Sequence, residues 1–232
     1  MYGDAERGGR MKFPAARGVF VTGTDTNIGK TALSAALLCR YRPVMPVRYW
    51  KPVQTGSPED DDTAVVRKLA ACADAEIHDR GIRLPRPLSP HLSARLANVR
   101  VEIAMLREMG AAGSGWIVEG AGGVLVPLNE RELMIDLIAD LGLAAVVAAR
   151  SSLGTINHTL LTVEALRARS IPIAGVAMIG EPNFENRRAI EDYARVAVIG
   201  EMPHFPVLSS DALNAWAQRY LDPNSILESF LQ

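Results

Sequence analysis

The stretch that most constrains this chain is residues 18–31, "GVFVTGTDTNIGKT", in which a short β-branched run meets a glycine-bounded loop and then a helical pattern opening with Lys30 and Thr31. A strand feeding a tight loop and a helix leaves successive backbone N–H groups, and the positive end of the helix, aimed at one point. That geometry suits a phosphate. Lys30 can reach the outer phosphates, and the Thr31 hydroxyl can bind Mg²⁺. The first glycine stands one residue early for GxxxxGK[ST], because Thr24 occupies its place, and the pattern here is GxxxxxGKT. A plain glycine turn before a core helix is the simpler reading. The order strand, loop, GKT, helix argues against it.

Comparable apolar runs recur at 18–22, 46–50, 116–120, 144–149, 173–179 and 196–201, separated by helix-like stretches at 30–41, 61–73, 99–109, 132–141, 155–169 and 184–195. Continuous rather than alternating apolarity suits strands buried on both faces. The alternation predicts a single-domain α/β fold of the P-loop type, three layers deep (α/β/α), with a mostly parallel central sheet. Ligands in such sheets sit beyond the carboxyl ends of the strands, so residues just after each strand are the first candidates. The proline-rich stretch 83–96, "RLPRPLSPHLSARL", reads as a long surface excursion. One domain is expected over 18–232 behind a flexible leader, 1–17, within which Met11 is an alternative start.

Composition narrows the function classes. The chain has 232 residues, 48% of them hydrophobic, and a formal net charge of -1 without a polybasic run. That size supports one well-buried domain, and the charge removes the footprint expected of a nucleic-acid or anionic-membrane binder. Small molecules are the expected partners. Only Cys39 and Cys72 are present, far from CxxC spacing, so a reduced, cytoplasmic setting is expected. No run approaches a membrane span, and the leader lacks the apolar core of a secretory signal.

Several strand ends carry chemistry. In "KPVQTG", Lys51 can neutralise charge on a transferring phosphoryl group and Thr55 can orient a polar substrate atom, although a lysine there can equally snorkel at the surface. Asp60, Asp61 and Asp62 precede a helical pattern and can cap it, or one of them can serve the hard cation that Thr31 implies. Glu119 ends the strand of "WIVEGAGGVLVPL", where an unpaired buried carboxylate would be costly and a cationic partner is the better explanation. Gly120, Gly122 and Gly123 behind it permit close backbone approach to a ligand. Residues 154–157 open another helix whose free N–H groups suit a carboxylate, while Asn157 and His158 can also be capping and packing residues. His78, His91 and His204 lack metal-ligand spacing, and no GxSxG elbow supports acyl transfer.

Taken together, "VFVTGTDTNIGKT", "KPVQTG", "DDDTA", "VEGAGGVLVPL", "LGTINHT" and "GEMP" resemble, in order and spacing, the dethiobiotin synthetase family from Gly18 to Pro203. The resemblance implies a ligase of biotin synthesis that closes a ureido ring on 7,8-diaminononanoate with CO₂ and ATP. It implies that Asn27, Ile28, Gly29, Lys30, Thr31 and Ala32 hold the nucleotide phosphates, joined by Gly120, Ala121 and Gly122 behind Glu119. Thr31, Asp62 and Glu119 would surround Mg²⁺. Lys30 and Lys51 would be catalytic, stabilising carbamate and phosphoryl oxygens. Thr26 and Thr55 would contact the diamine, and Ser152, Leu153, Gly154 and Asn157 of a second subunit would receive the substrate's carboxylate tail across a homodimer interface. Ile179, followed by Gly180, stands where the family pattern has an Asn that reads the purine. Apolar Ile179 cannot make that hydrogen bond, which leaves base contact to Pro203, His204 and Phe205 and opens the site to other nucleoside triphosphates.

Two relatives of the same superfamily are the competing readings. A partition-type ATPase, acting through partners, would carry a signature lysine near the start of the loop, where Gly23, Thr24 and Asp25 stand instead. A cobyrinic-acid amidase relative would need a glutamine-hydrolysing domain that a chain of this length has no room for. A nucleotide-binding module without chemistry would leave Lys51 and Thr55 unexplained.

Overall fold

The computed structural model describes residues 16–110 and 112–232. The leader expected over 1–17 lies outside the described residues except for Ala16 and Arg17. Strand β1 (Gly18–Gly23) leads into helix α1 (Lys30–Tyr41), and β2 (Arg48–Trp50) is followed at once by β3 (Val53–Thr55) and α2 (Asp62–Leu69). Two short strands, β4 (Ile77–His78) and β5 (Ile82–Leu84), precede α3 (Pro90–Ala97) and α4 (Ile103–Met109). The chain then alternates through β6 (Trp116–Gly123), α5 (Met134–Leu141), β7 (Ala144–Arg150), α6 (Thr155–Ala168), β8 (Ile173–Ile179), α7 (Phe184–Ala194) and β9 (Val198–Met202). Helices α8 (Ser210–Tyr220) and α9 (Glu228–Leu231) complete it.

Among the described residues, seven strands form one sheet in the order β4-β2-β6-β1-β7-β8-β9, and β3 pairs with β5 in a separate two-stranded sheet. Every named strand pairing is parallel. Continuous apolarity has the cause expected: Val19 and Val21 of β1 pack into one core, while Phe20 packs into the other. Strand β7 does the same, with Ala144, Val146 and Ala148 on one side and Ala145, Val147 and Ala149 on the opposite side. The first core is closed by α1 with Leu213, Trp216 and Ala217 of α8, and the second by Met134, Leu137 and Ile138 of α5 with Val163 and Leu166 of α6. Each such buried Val, Leu, Ile or Met side chain contributes about 1.5–3 kcal/mol, and each alanine less. No helix among the described residues is long and apolar enough to cross a membrane.

The stretch 83–96 corrects the expectation of an irregular excursion. Ile82–Leu84 is a strand, and Pro90 occupies the first turn of α3, where its missing N–H costs nothing and its fixed φ favours the helix. The turn between them folds back on Thr55: the Gly56 N–H donates to the Arg86 carbonyl at 3.1 Å, and Ser93 Oγ donates to the same carbonyl at 3.0 Å. Leu84 and Ala94 are buried, so this segment walls the end of β3.

Strand order places the chemistry. β1 lies between β6 and β7, and the register sets Val21 beside Glu119 and Gly23 beside Ala148. The loop after β1 therefore opens between the carboxyl ends of its two neighbours.

Candidate active site

Residues 24–29 turn from β1 into α1 through two left-handed positions, Asn27 at φ 56° and Gly29 at φ 91°. A Cβ on Gly29 would also crowd the Ile179 side chain, at 3.0 Å from its Cδ1. No side chain caps α1, so its first N–H groups remain available to an anion. Lys30 is buried and its Nζ donates to the Asp25 carbonyl at 3.0 Å, folded back across the loop. Burial, with the neighbouring charge of Lys51, lowers its pKa from the ordinary lysine value.

Four residues from four elements converge beside that helix start. Lys51, directly after β2, donates to Asp62 Oδ2 at 2.6 Å, Glu119 Oε1 at 2.8 Å and the Gly120 carbonyl at 3.0 Å, which satisfies its three protons. Thr31 Oγ1 lies 2.7 Å from Asp62 Oδ1 and 3.0 Å from Glu119 Oε1. Glu119 is 1% exposed on its side chain and Lys51 is 4% exposed, so the pair stands in a low-dielectric setting. Burial alone would lower the Lys51 pKa, but Glu119 and Asp62 outweigh it and raise it above the ordinary lysine value. Burial opposes ionisation of Asp62 too, and Lys51 overcomes it, holding the carboxyl below its usual range.

The three acids of residues 60–62 divide their tasks. Asp61 is the N-cap of α2, its Oδ1 accepting from the Ala64 N–H at 3.1 Å, while Asp62 turns to Thr31 and Lys51. Gln54 of β3 grips this helix start: its Nε2 donates to the Asp60 carbonyl at 2.6 Å and its Oε1 accepts from the Asp62 N–H at 3.3 Å. Thr31 Oγ1, Asp62 Oδ1 and Glu119 Oε1 present hard oxygen donors to one another, a set that suits Mg²⁺ if phosphate and water supply the rest. No group of three or more His, Cys, Asp or Glu side chains among the described residues could hold a metal.

A cleft of about 840 Å³ opens on the other side of the loop. It brings together Thr26, Asn27, Ile28, Gly29 and Ala32 with Ser152, Ile179, Gly180, Pro203, His204 and Phe205. Lys51, Thr55, Asp62 and the residues 119–122 lie outside its lining, at the carboxylate cluster and the small sheet. Leu153, Gly154 and Asn157 do not line it either. They form the exposed start of α6, with Gly154 as N-cap at φ 91° and Leu153 99% exposed. No side chain caps α6, which removes the capping role open to Asn157.

Three participants escaped the sequence reading. Tyr49 of β2 donates from its hydroxyl to Glu119 Oε2 at 2.9 Å, Gln54 orients Asp62, and Arg150 at the end of β7 pairs with Asp25 at 2.6 Å. Arg150 alone left a signal, a cation ending the otherwise apolar "AAVVAAR".

A glycine-turned loop entering a helix, flanked by Glu119 on the adjacent parallel strand β6 and Asp62 at the start of α2, defines a P-loop nucleotide-binding protein, and the family model for an AAA domain matches residues 17–212. A ParA family ATPase from Chlorobium tepidum shares the fold, with a TM-score of 0.51 at 12% identity over 93% of this chain and 97% of that one. The ATP-dependent dethiobiotin synthetase of Paramagnetospirillum magneticum is 49% identical over 194 residues, 84% of this chain and 91% of that protein. The biotin biosynthesis bifunctional protein of Bordetella avium is 45% identical over 92% of this chain, which spans 45% of that longer protein. The chain belongs to the dethiobiotin synthetase family.

Proposed function

We propose that the chain closes the ureido ring of dethiobiotin on 7,8-diaminononanoate, using CO₂ and ATP and releasing ADP and phosphate. The observation that carries the reading is Lys51, a buried ammonium held between Asp62 and Glu119 beside Lys30 and Thr31. One amine of the substrate captures CO₂ as a carbamate, losing a proton. The carbamate oxygen attacks the γ-phosphorus of ATP, giving a carbamic-phosphoric anhydride and ADP. The second amine then attacks the carbamoyl carbon and expels phosphate, closing the ring.

Each role follows from the charge and position of a residue. Its raised pKa keeps Lys51 protonated, so it serves as a cation rather than as a base, and its N–H groups would exchange the Asp62 and Glu119 oxygens for carbamate and phosphoryl oxygens as substrate binds. Lys30 leaves the Asp25 carbonyl to meet the phosphates. Mg²⁺ held by Thr31, Asp62 and Glu119 would supply charge neutralisation at the β- and γ-phosphates. Thr26 and Thr55 orient the diamine, and the triphosphate spans Asn27 to Ala32 with the backbone of 120–122 facing it. The base occupies the cleft between Ile179 with Gly180 and the turn at Pro203, His204 and Phe205, a wall that does not exclude nucleoside triphosphates other than ATP.

The uncapped start of α6, with Ser152, Leu153, Gly154 and Asn157, receives the carboxylate tail of substrate bound to a second copy of the chain. Free Cys39 and Cys72 agree with a reducing cytoplasm.

The test is ADP release on mixing the protein with the diamine, bicarbonate and Mg-ATP, with dethiobiotin followed by mass. Release should depend on the diamine. ATP hydrolysis at the same rate without it would refute the ligase and favour a switch ATPase.

A further inference from the structure

Asp25 is an anomaly in its loop. The segment between β1 and α1 directs backbone N–H groups toward anions, yet it carries an ionisable carboxylate that is 53% exposed on its side chain. A free negative charge at that position would oppose the polyphosphate the loop exists to bind. Arg150 answers it. From the last position of β7, its Nη2 donates to Asp25 Oδ2 at 2.6 Å, while Asp25 Oδ1 accepts from the Thr26 N–H at 2.7 Å. The backbone repeats the link, since the Thr24 N–H donates to the Ala148 carbonyl of the same strand at 3.0 Å. The loop is therefore sewn to β7 by main chain and by side chain at once.

Arg150 also lines the cleft beside Asn27, Gly29 and Ser152, and its Nε is buried without a hydrogen-bond partner. Lys30 meanwhile holds the Asp25 carbonyl oxygen, so the two cations grip different atoms of one residue. When Lys30 departs for a phosphate, Arg150 is the contact that keeps Asp25 in place.

We infer that Arg150 is a positioning residue for the nucleotide: it neutralises Asp25 and draws its carboxylate toward β7, clearing the phosphate loop of a like charge. The inference rests on the proposed nucleotide site, but not on the ligase chemistry performed there.

The experiment measures the dissociation constant of Mg²⁺ with β,γ-imido-ATP by calorimetry, without diamine, at low and high salt. Arg150→Gln should bind about tenfold more weakly at low salt, the repulsion of one partly screened charge. The loss should shrink at high salt because the pair is exposed enough to be screened. Asp25→Asn/Arg150→Gln should recover to within about threefold of the parent, since removing the carboxylate removes the need for its partner. Arg150→Lys, which keeps the charge, should lie between the parent and Arg150→Gln. Parent-like binding by Arg150→Gln, or a double variant no tighter than the single one, would overturn the assignment. If Arg150→Gln fails to fold, Asp25→Asn alone decides: binding tightened severalfold supports the inference, and weakened or unaltered binding refutes it. Loss of diamine-dependent ADP release in the parent protein would refute the ligase and leave these binding results standing.

Discussion

Replacing Lys51 by Met keeps an unbranched stem but removes the ammonium that donates to Asp62, Glu119 and the Gly120 carbonyl. Two carboxylates would then face one another across the vacated position. At about 5 Å and an effective dielectric constant of about 20, their repulsion is about 3 kcal/mol. Breaking a buried pair by removing one partner costs about 3–5 kcal/mol by analogy with other proteins, so a loss of about 3 kcal/mol at neutral pH is expected. The sign of the pH dependence is diagnostic. In the parent, the lowered Asp62 pKa contributes stability above the ordinary carboxylate range, and this is lost as pH falls through the folded-state value. The raised Lys51 pKa contributes below the ordinary lysine value, and this is lost as pH rises through the folded-state value. In the variant one carboxylate is pushed up instead, so the folded state binds an extra proton and gains stability on acidification. The deficit should therefore be largest at neutral pH and narrow toward about pH 5. Urea unfolding across that range measures it. A deficit under about 1 kcal/mol, or one that does not narrow, would refute the buried-pair argument. Turnover should be abolished while nucleotide affinity is largely kept, and surviving turnover would remove Lys51 from catalysis.

Two further substitutions test other parts of the molecule. Tyr41→Phe removes the hydroxyl that donates to buried Asp222, whose carboxylate also accepts from the Ile226 N–H at 2.9 Å and the Leu227 N–H at 2.8 Å. It should cost about 1–3 kcal/mol in urea unfolding, and no loss would show that the C-terminal turn is not anchored through α1. Ile179→Asn restores a side-chain amide to the cleft wall and should raise the ratio of ATP to CTP turnover. An unaltered ratio would exclude this position from base selection.

The central strands were legible because burial on both faces leaves an unbroken apolar run, as in β1 and β7. The loop before α1 was legible because its glycine and GKT spacing is itself the mechanism. Segments of three residues, such as β3 and β5, are too short for any periodicity, and proline in 83–96 concealed a helix that begins on one. The residues by themselves left Asp60, Asp61 and Asp62 open between cap and ligand, and the family resemblance singled out Asp62. The structure supplies the physical difference, because Thr31 and Lys51 arrive from other elements to meet Asp62 while Asp61 caps α2. Glu119 was expected to need a cationic partner, and in the folded chain Lys51 is that partner. Arg150 and Asp25 lie 125 positions apart, and nothing short of the β1–β7 register joins them.

The two-stranded sheet gives the site a property that no single contact has. Thr55 and Gln54 are neighbours on β3, one half-exposed at the proposed diamine end and the other gripping the helix start that carries Asp62. The proposed diamine end and the proposed cation end thus share one backbone support three residues long. By thermodynamic reciprocity, whatever diamine binding does to the affinity for the metal-nucleotide, the metal-nucleotide does equally to the affinity for diamine. Any such coupling would therefore read the same in affinity whichever of the two ligands is already bound.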